Sequence, residues 1–333
     1  MLMRLFTKYV LKHRNNKFLY YSRGILRELF PKSIFQHLLN RKLTQINEGD
    51  LPYLRSRLEY YNKLEGATKL TENIPPLSTM SLPKRGKVYY LDAVEYTRFF
   101  NQRFRTNFLF GDITHVPDQP SIVKSRPIGD HNENSVLLKL NKVRHFIFVD
   151  DDIPYREKLD KLVWRGAVGI EHKNRIHFLQ TFFNHSFCDV GKTNVNNLLD
   201  DRMKERLSIN QHLRYKFILS MEGNDVATNL KWVMSSQSVA VMPTPRYETW
   251  FMEGRLIPDH HYIHIKDDFS DLEEKLVYYS SHPQEAMQIS KNANAYVRQF
   301  KDKKNEELLS LLVLEKYFVM TGQMEPISSL QSD

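Results

Sequence analysis

The stretch "KFILSMEGNDVATNLKWVMSSQSVAVMP", residues 216–243, decides the fold class. Phe217–Leu219 is a short apolar run, and the turn that follows contains Gly223. Residues 225–236 then read as a helix, with Asn224 or Asp225 placed to cap its first turn. A second apolar run, 238–242, is closed by Pro243. Two buried strands joined by a helix form the repeating unit of a parallel sheet.

The alternation continues on both sides. "KLVWRGAV" (161–168) reads as a strand with a glycine-bearing exit, "NRIHFLQTFFN" (174–184) as a helix and "HYIHI" (261–265) as a strand. Residues 271–281 and 283–300 read as helices. Upstream, "KVYYLDAVEYTRFF" (87–100) looks like a short strand followed by a helix, and "TNFLFGD" (106–112) like a strand ending in Gly-Asp. "SVLLKL" (135–140) and "HFIFVD" (145–150) are further extended runs. Proline and acid cluster at 150–154, which marks a domain boundary. The predicted class is α/β. Parallel sheets bind ligands beyond the carboxyl ends of their strands, so the residues following each strand are the ones to examine.

A chain of 333 residues, 41% apolar and 12% aromatic, suits two domains with cores of their own. Its net charge of +9 is carried by residues 1–45, which hold ten Lys/Arg against the single acid Glu28. The rest of the chain balances at 38 basic and 38 acidic side chains, which excludes a body that binds polyanions generally. Within the arm, Leu2, Leu5, Phe6, Tyr9 and Val10, then Ile25, Leu26, Leu29 and Phe30, make an apolar stripe with basic flanks. Such a helix can lie on an anionic membrane surface or pack on the body. Nucleic-acid binding is not expected, because no recognised module follows. The lone cysteine, Cys188, allows no intrachain disulfide and points to a reducing compartment. No apolar run approaches the roughly 20 residues of a membrane span. The first residues are broken by charge every few positions, so no signal peptide is expected.

Several residues carry potential chemistry. In "WRGAVG" (164–169), Arg165 offers a fork of donors suited to a diphosphate, and Gly166 lets the backbone turn sharply. In "SMEGNDVATNLK" (220–231), Gly223, Asn224 and Asp225 lead into an expected helix N-terminus at 225–228, whose unpaired N–H groups favour an anion. Lys231 follows about two turns later. Glu248, in "PRYETWFMEG" (245–254), is placed to accept from a ribose or sugar hydroxyl. His260 and His264 lie on one face of an expected strand, about 13 Å apart, too far to share a metal. The three aspartates 150–152 could hold a divalent ion or simply solvate a linker.

Together these segments resemble glycosyltransferase family 90. The resemblance runs through "PYREKLDKLVWRG", Arg175, "YKFILSMEGNDVATNLKWVMSSQSVAVM" and "YETWFMEGRLIPDHHYIHIKDDFSDLEEKL", covering roughly residues 105–300. The wording of "ITHVPDQPSIVKSRP" and the lack of disulfides look like its bacterial lipopolysaccharide branch. The resemblance implies a GT-B fold, two Rossmann-like domains facing a cleft, here with a basic helical N-terminal arm. The implied division is an arm at 1–45, an acceptor-side domain at 46–153, a nucleotide-sugar domain at 154–305 and a C-terminal helix at 306–333 that packs back on the first domain. Arg165 matches the arginine that contacts the donor diphosphate. Lys231 falls where most members carry arginine, after a turn two residues longer than usual. Asp112 aligns with the general base. Arg165, Gly166, Arg175, Gly223, Asn224, Asp225, Lys231 and Glu248 make up the implied donor site. Lys124, Arg126, Asp150 and Asp152 are acceptor-side candidates.

The implied reaction is an inverting transfer of a hexose from a nucleotide-sugar, UDP-linked, to a lipid-anchored lipopolysaccharide core oligosaccharide. With the diphosphate met by cations and amide dipoles, no metal or other cofactor is expected. The expected place is the cytoplasmic face of the inner membrane. Three rivals stand beside it: a metal-dependent GT-A transferase using Asp150–Asp152, a non-catalytic basic protein that binds membrane or nucleic acid, and a transferase acting on protein serine.

Overall fold

The computed structural model describes residues 16–331, so the first fifteen residues of the basic arm lie outside them. In chain order the principal elements are α1 (Lys17–Glu28), α2 (Lys32–Thr44), α3 (Leu51–Tyr61), α4 (Lys87–Thr97), β1 (Asn107–Leu109), β2 (Ser121–Val123), β3 (Ser125–Pro127) and β4 (Ser135–Leu137). There follow β5 (Leu159–Gly166), α5 (Lys173–Phe182), β6 (Cys188–Lys192), β7 (Tyr215–Leu219), α6 (Leu230–Met234), β8 (Val239–Met242), β9 (Tyr247–Thr249) and β10 (Ile263–His264). The last helices are α7 (Leu272–Ser281), α8 (Pro283–Arg298) and α9 (Lys303–Met320). The chain divides into two compact units.

One unit comprises Arg144–Pro245 and Arg255–Gln299. Its sheet has the order β10-β8-β7-β5-β6, with every pair parallel. β5 bears Leu162, Val163 and Trp164, all buried, as expected of a central strand covered on both faces. Phe178 and Leu179 of α5, Leu276 of α7 and Ile289 of α8 join the core that these strands form. The order reverses at β5: the chain first steps outward to β6, then returns past β5 to β7 and continues to β8. That reversal makes the carboxyl ends of β5 and β7 the topological switch point, where an open parallel sheet leaves room for a ligand.

Several local expectations are corrected. The helix expected from residue 225 begins only at Leu230 and runs five residues. Asn229 donates its side-chain amide to Leu219 O at 2.9 Å, and this bond keeps the preceding segment in a loop. No helix N-terminus therefore stands at 225–228. Residues 145–150 form no strand; Val149 N donates to Ser235 Oγ at 2.9 Å in place of a ladder partner. Residues 87–89 are helical from the start of α4, after Gly86 with φ of 71°. The strand β6 was not foreseen, and the expected strand at 261–265 shortens to Ile263–His264. His260 and His261 lie outside it, with ring centroids 4.7 Å apart.

The other unit comprises Asn16–Val143, Arg246–Gly254 and Phe300–Asp333. Residues 246–254 thus leave the sheet unit, and the division is not the linear one expected. Its parallel sheet has the order β1-β2-β4, and β3 pairs antiparallel with β9. α9 is apolar almost all round, and Leu309, Leu311, Leu312, Val313, Leu314, Tyr317 and Phe318 are fully buried, as a central helix requires. Two carboxylates are set among them: Glu315, which accepts from Ile327 N and Ser328 N, both at 2.7 Å, and Glu306. Glu306 receives Arg57 at 2.7 Å, Lys139 at 2.6 Å and the Trp250 indole N–H at 2.8 Å. Tyr61 stacks on Trp250 at 3.8 Å. Replacing Glu306 by glutamine leaves two buried cations without their counter-charge. Glu306→Gln is expected to lower unfolding free energy by about 3–5 kcal/mol, measured by denaturant titration.

Candidate active site

The switch point is built around Arg175, in the first turn of α5. Its Nη1 donates to Ala167 O at 2.8 Å, in the loop after β5. Its Nε donates to Glu222 O at 3.0 Å and its Nη2 to Met221 O at 3.1 Å, both in the loop after β7. One guanidinium therefore pins the exits of both strands. Its plane lies over the Trp164 indole, 5.6 Å from the ring centroid. Among the described residues it makes no ion pair. Burial first, and then the like charge of Arg144, pull its pKa down to about 10, with Glu171 opposing. At neutral pH it stays a cation, and three of its five N–H groups are engaged, which leaves two for a ligand.

Gly223 is required by this cation. A Cβ there would stand 2.7 Å from Arg175 Nη2. Gly166 has a different reason: a Cβ would stand 2.3 Å from the Trp164 ring, so the space above it is filled by protein. Asn224 accepts from His172 Nε2 at 3.0 Å, while His172 Nδ1 accepts from Gly169 N at 2.9 Å. That pattern fixes the neutral tautomer with its proton on Nε2 and ties the two loops a second time. The loop after β6 is held too. Asn194 Oδ1 accepts from Val168 N at 2.8 Å, and Asn196 Nδ2 donates to Val168 O at 2.7 Å. Lys192, fully buried, anchors that loop through Asn196 Oδ1 and Asp200 Oδ1, both at 2.7 Å. His172, Asn194 and Asn196 were not singled out from sequence; the only hint is their position just after strands.

Arg165 is placed differently from Arg175. Its Nη2 meets Asp189 Oδ1 at 2.8 Å, its Nη1 donates to Asp189 O at 2.7 Å and Trp164 O at 3.0 Å, and its Nε to Glu205 O at 3.0 Å. Four of its five N–H groups are engaged within the protein. Asp189 also accepts from Lys204 at 2.8 Å and Tyr215 OH at 2.6 Å. Against its partial desolvation, these hydrogen bonds and the Arg165 charge hold its carboxyl well below the usual range. Asp225 and Lys231 are both buried in the stretch after β7.

Glu248 lies outside the sheet unit. It is buried on β9, 2.8 Å from Arg126 Nε, and Tyr60 OH donates to its other oxygen. Arg126 also donates to Ser135 O at 2.9 Å and Tyr60 O at 2.6 Å. Both residues are thus held in a buried network of the other unit. In that unit Lys124 and Asp112 form an ion pair, with Lys124 buried and Asp112 partly exposed. The preceding Gly111 has φ of 133°, and Ser125 Oγ accepts from Ile113 N at 3.2 Å and donates to Ile113 O at 3.1 Å, so the loop that presents Asp112 is pinned on both sides. Of the three consecutive aspartates, Asp150 and Asp152 are exposed. Asp151 is buried against Lys158 at 2.9 Å and accepts from Gln237 N at 2.8 Å. Among the described residues, no group of three or more His, Cys, Asp or Glu is arranged to hold a metal ion.

Similarity to known proteins shows the family. The model of "Glycosyl transferase family 90" matches residues 139–317, more than half the chain. The chain is 44% identical over 265 residues to O-glucosyltransferase LpsA of Dichelobacter nodosus, covering 80% of this chain and 82% of that protein. It is 25% identical over 150 residues to Protein O-glucosyltransferase 2 of Danio rerio, covering 43% of this chain and 29% of that protein. The matched residues include β5, α5 and β7, the elements that frame Arg175. The chain belongs to glycosyltransferase family 90 and is a glycosyltransferase.

Proposed function

We propose that the chain transfers a hexose from a UDP-sugar to a lipopolysaccharide core oligosaccharide, with inversion, as a GT-B-type enzyme on the cytoplasmic face of the inner membrane. The name of the Dichelobacter nodosus relative supports glucose as the hexose. The observation that carries the donor half is Arg175, a cation at the switch point met only by carbonyl oxygens. A diphosphate supplies the anion that it lacks, through its two remaining N–H groups. Arg165, Lys231 and the backbone at Gly223–Asp225 complete the assigned donor site. Of these, Arg165 stands behind Arg175, because it must leave Asp189 to reach a ligand.

In the acceptor half, Asp112 takes the proton of the acceptor hydroxyl as that oxygen bonds to the anomeric carbon. The bond from that carbon to the diphosphate breaks, and UDP leaves with the electron pair. Lys124 pairs with Asp112 and orients it, as a general base requires. Charge on the leaving group is met by protein cations, so no metal ion is assigned a step.

Each half has its own test. Arg175→Met is expected to weaken UDP-sugar binding about 10- to 100-fold by calorimetry, as loss of a charged hydrogen-bond donor implies. Gly223→Ala is expected to act in the same direction by displacing that guanidinium. Arg165→Met is expected to lower melting temperature more than donor affinity, because it strips Asp189 of its cation. Unchanged donor affinity in Arg175→Met would remove the donor assignment. Asp112→Asn is expected to cut kcat about a hundred- to ten-thousandfold with little change in donor affinity. Activity undiminished by excess chelator is the expected outcome for the metal question; its loss, restored by a divalent ion, would favour the rival that uses Asp150 and Asp152.

A further inference from the structure

α1 packs one face and leaves the opposite one bare. Tyr20 OH bonds Asp92 at 2.7 Å, Arg27 meets Glu95 at 2.5 Å, and Gly24 abuts Leu91, so residues 20, 24 and 27 face α4. Phe18, Ile25 and Leu29 lie on the other side, at helical spacing i, i+7 and i+11, and are 81%, 51% and 73% exposed. Exposed Phe30 and Ile34 continue the apolar surface onto α2. Scattered exposed apolar residues need no explanation, but a continuous row of large ones on the side facing away from the protein does.

A groove of about 440 Å³ lies between α2 and α9. Ile34, Leu38 and Arg41 follow one another at i, i+4 and i+7, so the apolar row ends at a cation. Leu38 and Leu311 line the groove with Arg41, Lys42, Lys304 and Glu307. Lys42 pairs with Glu307 at 3.2 Å. The groove thus holds two cations, Arg41 and Lys304, in excess of its carboxylate. An apolar row ending at a cationic, apolar-floored groove is complementary to an anionic amphiphile: acyl chains along the row, phosphate at the groove.

We propose that α1 and α2 lie on an anionic bilayer with Phe18, Ile25, Leu29, Phe30 and Ile34 at the headgroup–acyl boundary, and that a phospholipid phosphate seats between Arg41 and Lys304. The proposal deepens the reading of a lipid-anchored acceptor and rests on it for its biological sense. The test is co-sedimentation of the full chain with vesicles of phosphatidylcholine alone or with about a quarter phosphatidylglycerol. The wild-type chain is expected to bind the anionic vesicles and to bind the neutral ones at least about tenfold more weakly. Phe18→Ser/Leu29→Ser is expected to lose binding to both. Arg41→Gln/Lys304→Gln is expected to lose only the preference for phosphatidylglycerol. These four side chains line the surface or the groove rim, and an unchanged melting temperature checks that the variants fold. Wild-type binding that is absent, or equal in Phe18→Ser/Leu29→Ser, overturns the proposal; a phosphatidylglycerol preference retained by Arg41→Gln/Lys304→Gln overturns the phosphate seat. Sugar transfer to a soluble acceptor oligosaccharide, measured in parallel, separates the outcomes: absence of vesicle binding by the wild-type chain with transfer intact refutes the membrane face alone, whereas wild-type vesicle binding without transfer refutes the functional reading.

Discussion

Everything at the switch point depends on a guanidinium that carbonyl oxygens hold but do not neutralise. Three backbone dipoles offset part of the desolvation of Arg175, and its depressed pKa shows that the offset is incomplete. The position carries consequences in sequence. Gly223 has no side chain because the guanidinium occupies that space, and Trp164 offers its ring as the cation's second surface. The loops after β5 and β7 are therefore both held by one side chain on α5, with the His172–Asn224 bond as a second tie. An anion bound there would supply the missing charge without rebuilding either loop.

Other buried charges in the protein are closed in a different way. Glu306 has two cations and an indole N–H, Arg126 has Glu248, and Asp151 has Lys158. Each is satisfied inside its own unit and serves the fold there. Arg165 belongs with them, since Asp189 and three carbonyls surround it. The distinction between a charge closed by an opposite charge and one closed only by dipoles separates Arg175 from residues with the same chemistry on paper. It also bears on the ribose- or sugar-hydroxyl role expected of Glu248, whose oxygens already receive Arg126 and Tyr60.

Much of the sheet was legible in the sequence because its central strands are buried on both faces. Phe217–Leu219 and 239–242 are continuous apolar runs, and hydrophobic run length alone locates them. β6 was not legible, because "CDVGK" mixes acid, glycine and lysine and becomes a strand only through its ladder to β5. The late start of α6 was hidden for a similar reason: Asn229 turns its amide back to Leu219 O, a bond between residues ten apart. Residues 87–90 look β-prone by composition, yet Tyr89 and Tyr90 are buried on a helix. At the candidate site, Arg175 and Gly223 were both singled out from sequence, but not the close approach between them. Arg165 was read as open because nothing in "WRG" reveals that Asp189 lies on the neighbouring strand, two residues out of register with it.

The pairing of Asp112 with Lys124 has a chemical consequence of its own. In the proposed transfer, the carboxylate held beside this ammonium takes the proton once the acceptor oxygen has begun to bond to carbon and has become acidic. That ordering couples deprotonation to bond formation and avoids a free alkoxide. Lys124 is buried and cannot turn away, whereas Asp112 is the partly exposed member of the pair. The ammonium is thus the fixed reference and the carboxylate is the group presented outward, on a loop that Gly111 bends and Ser125 pins. In the proposed reaction, a carboxylate oriented in this way is positioned before any acceptor arrives, so acceptor binding need not order it.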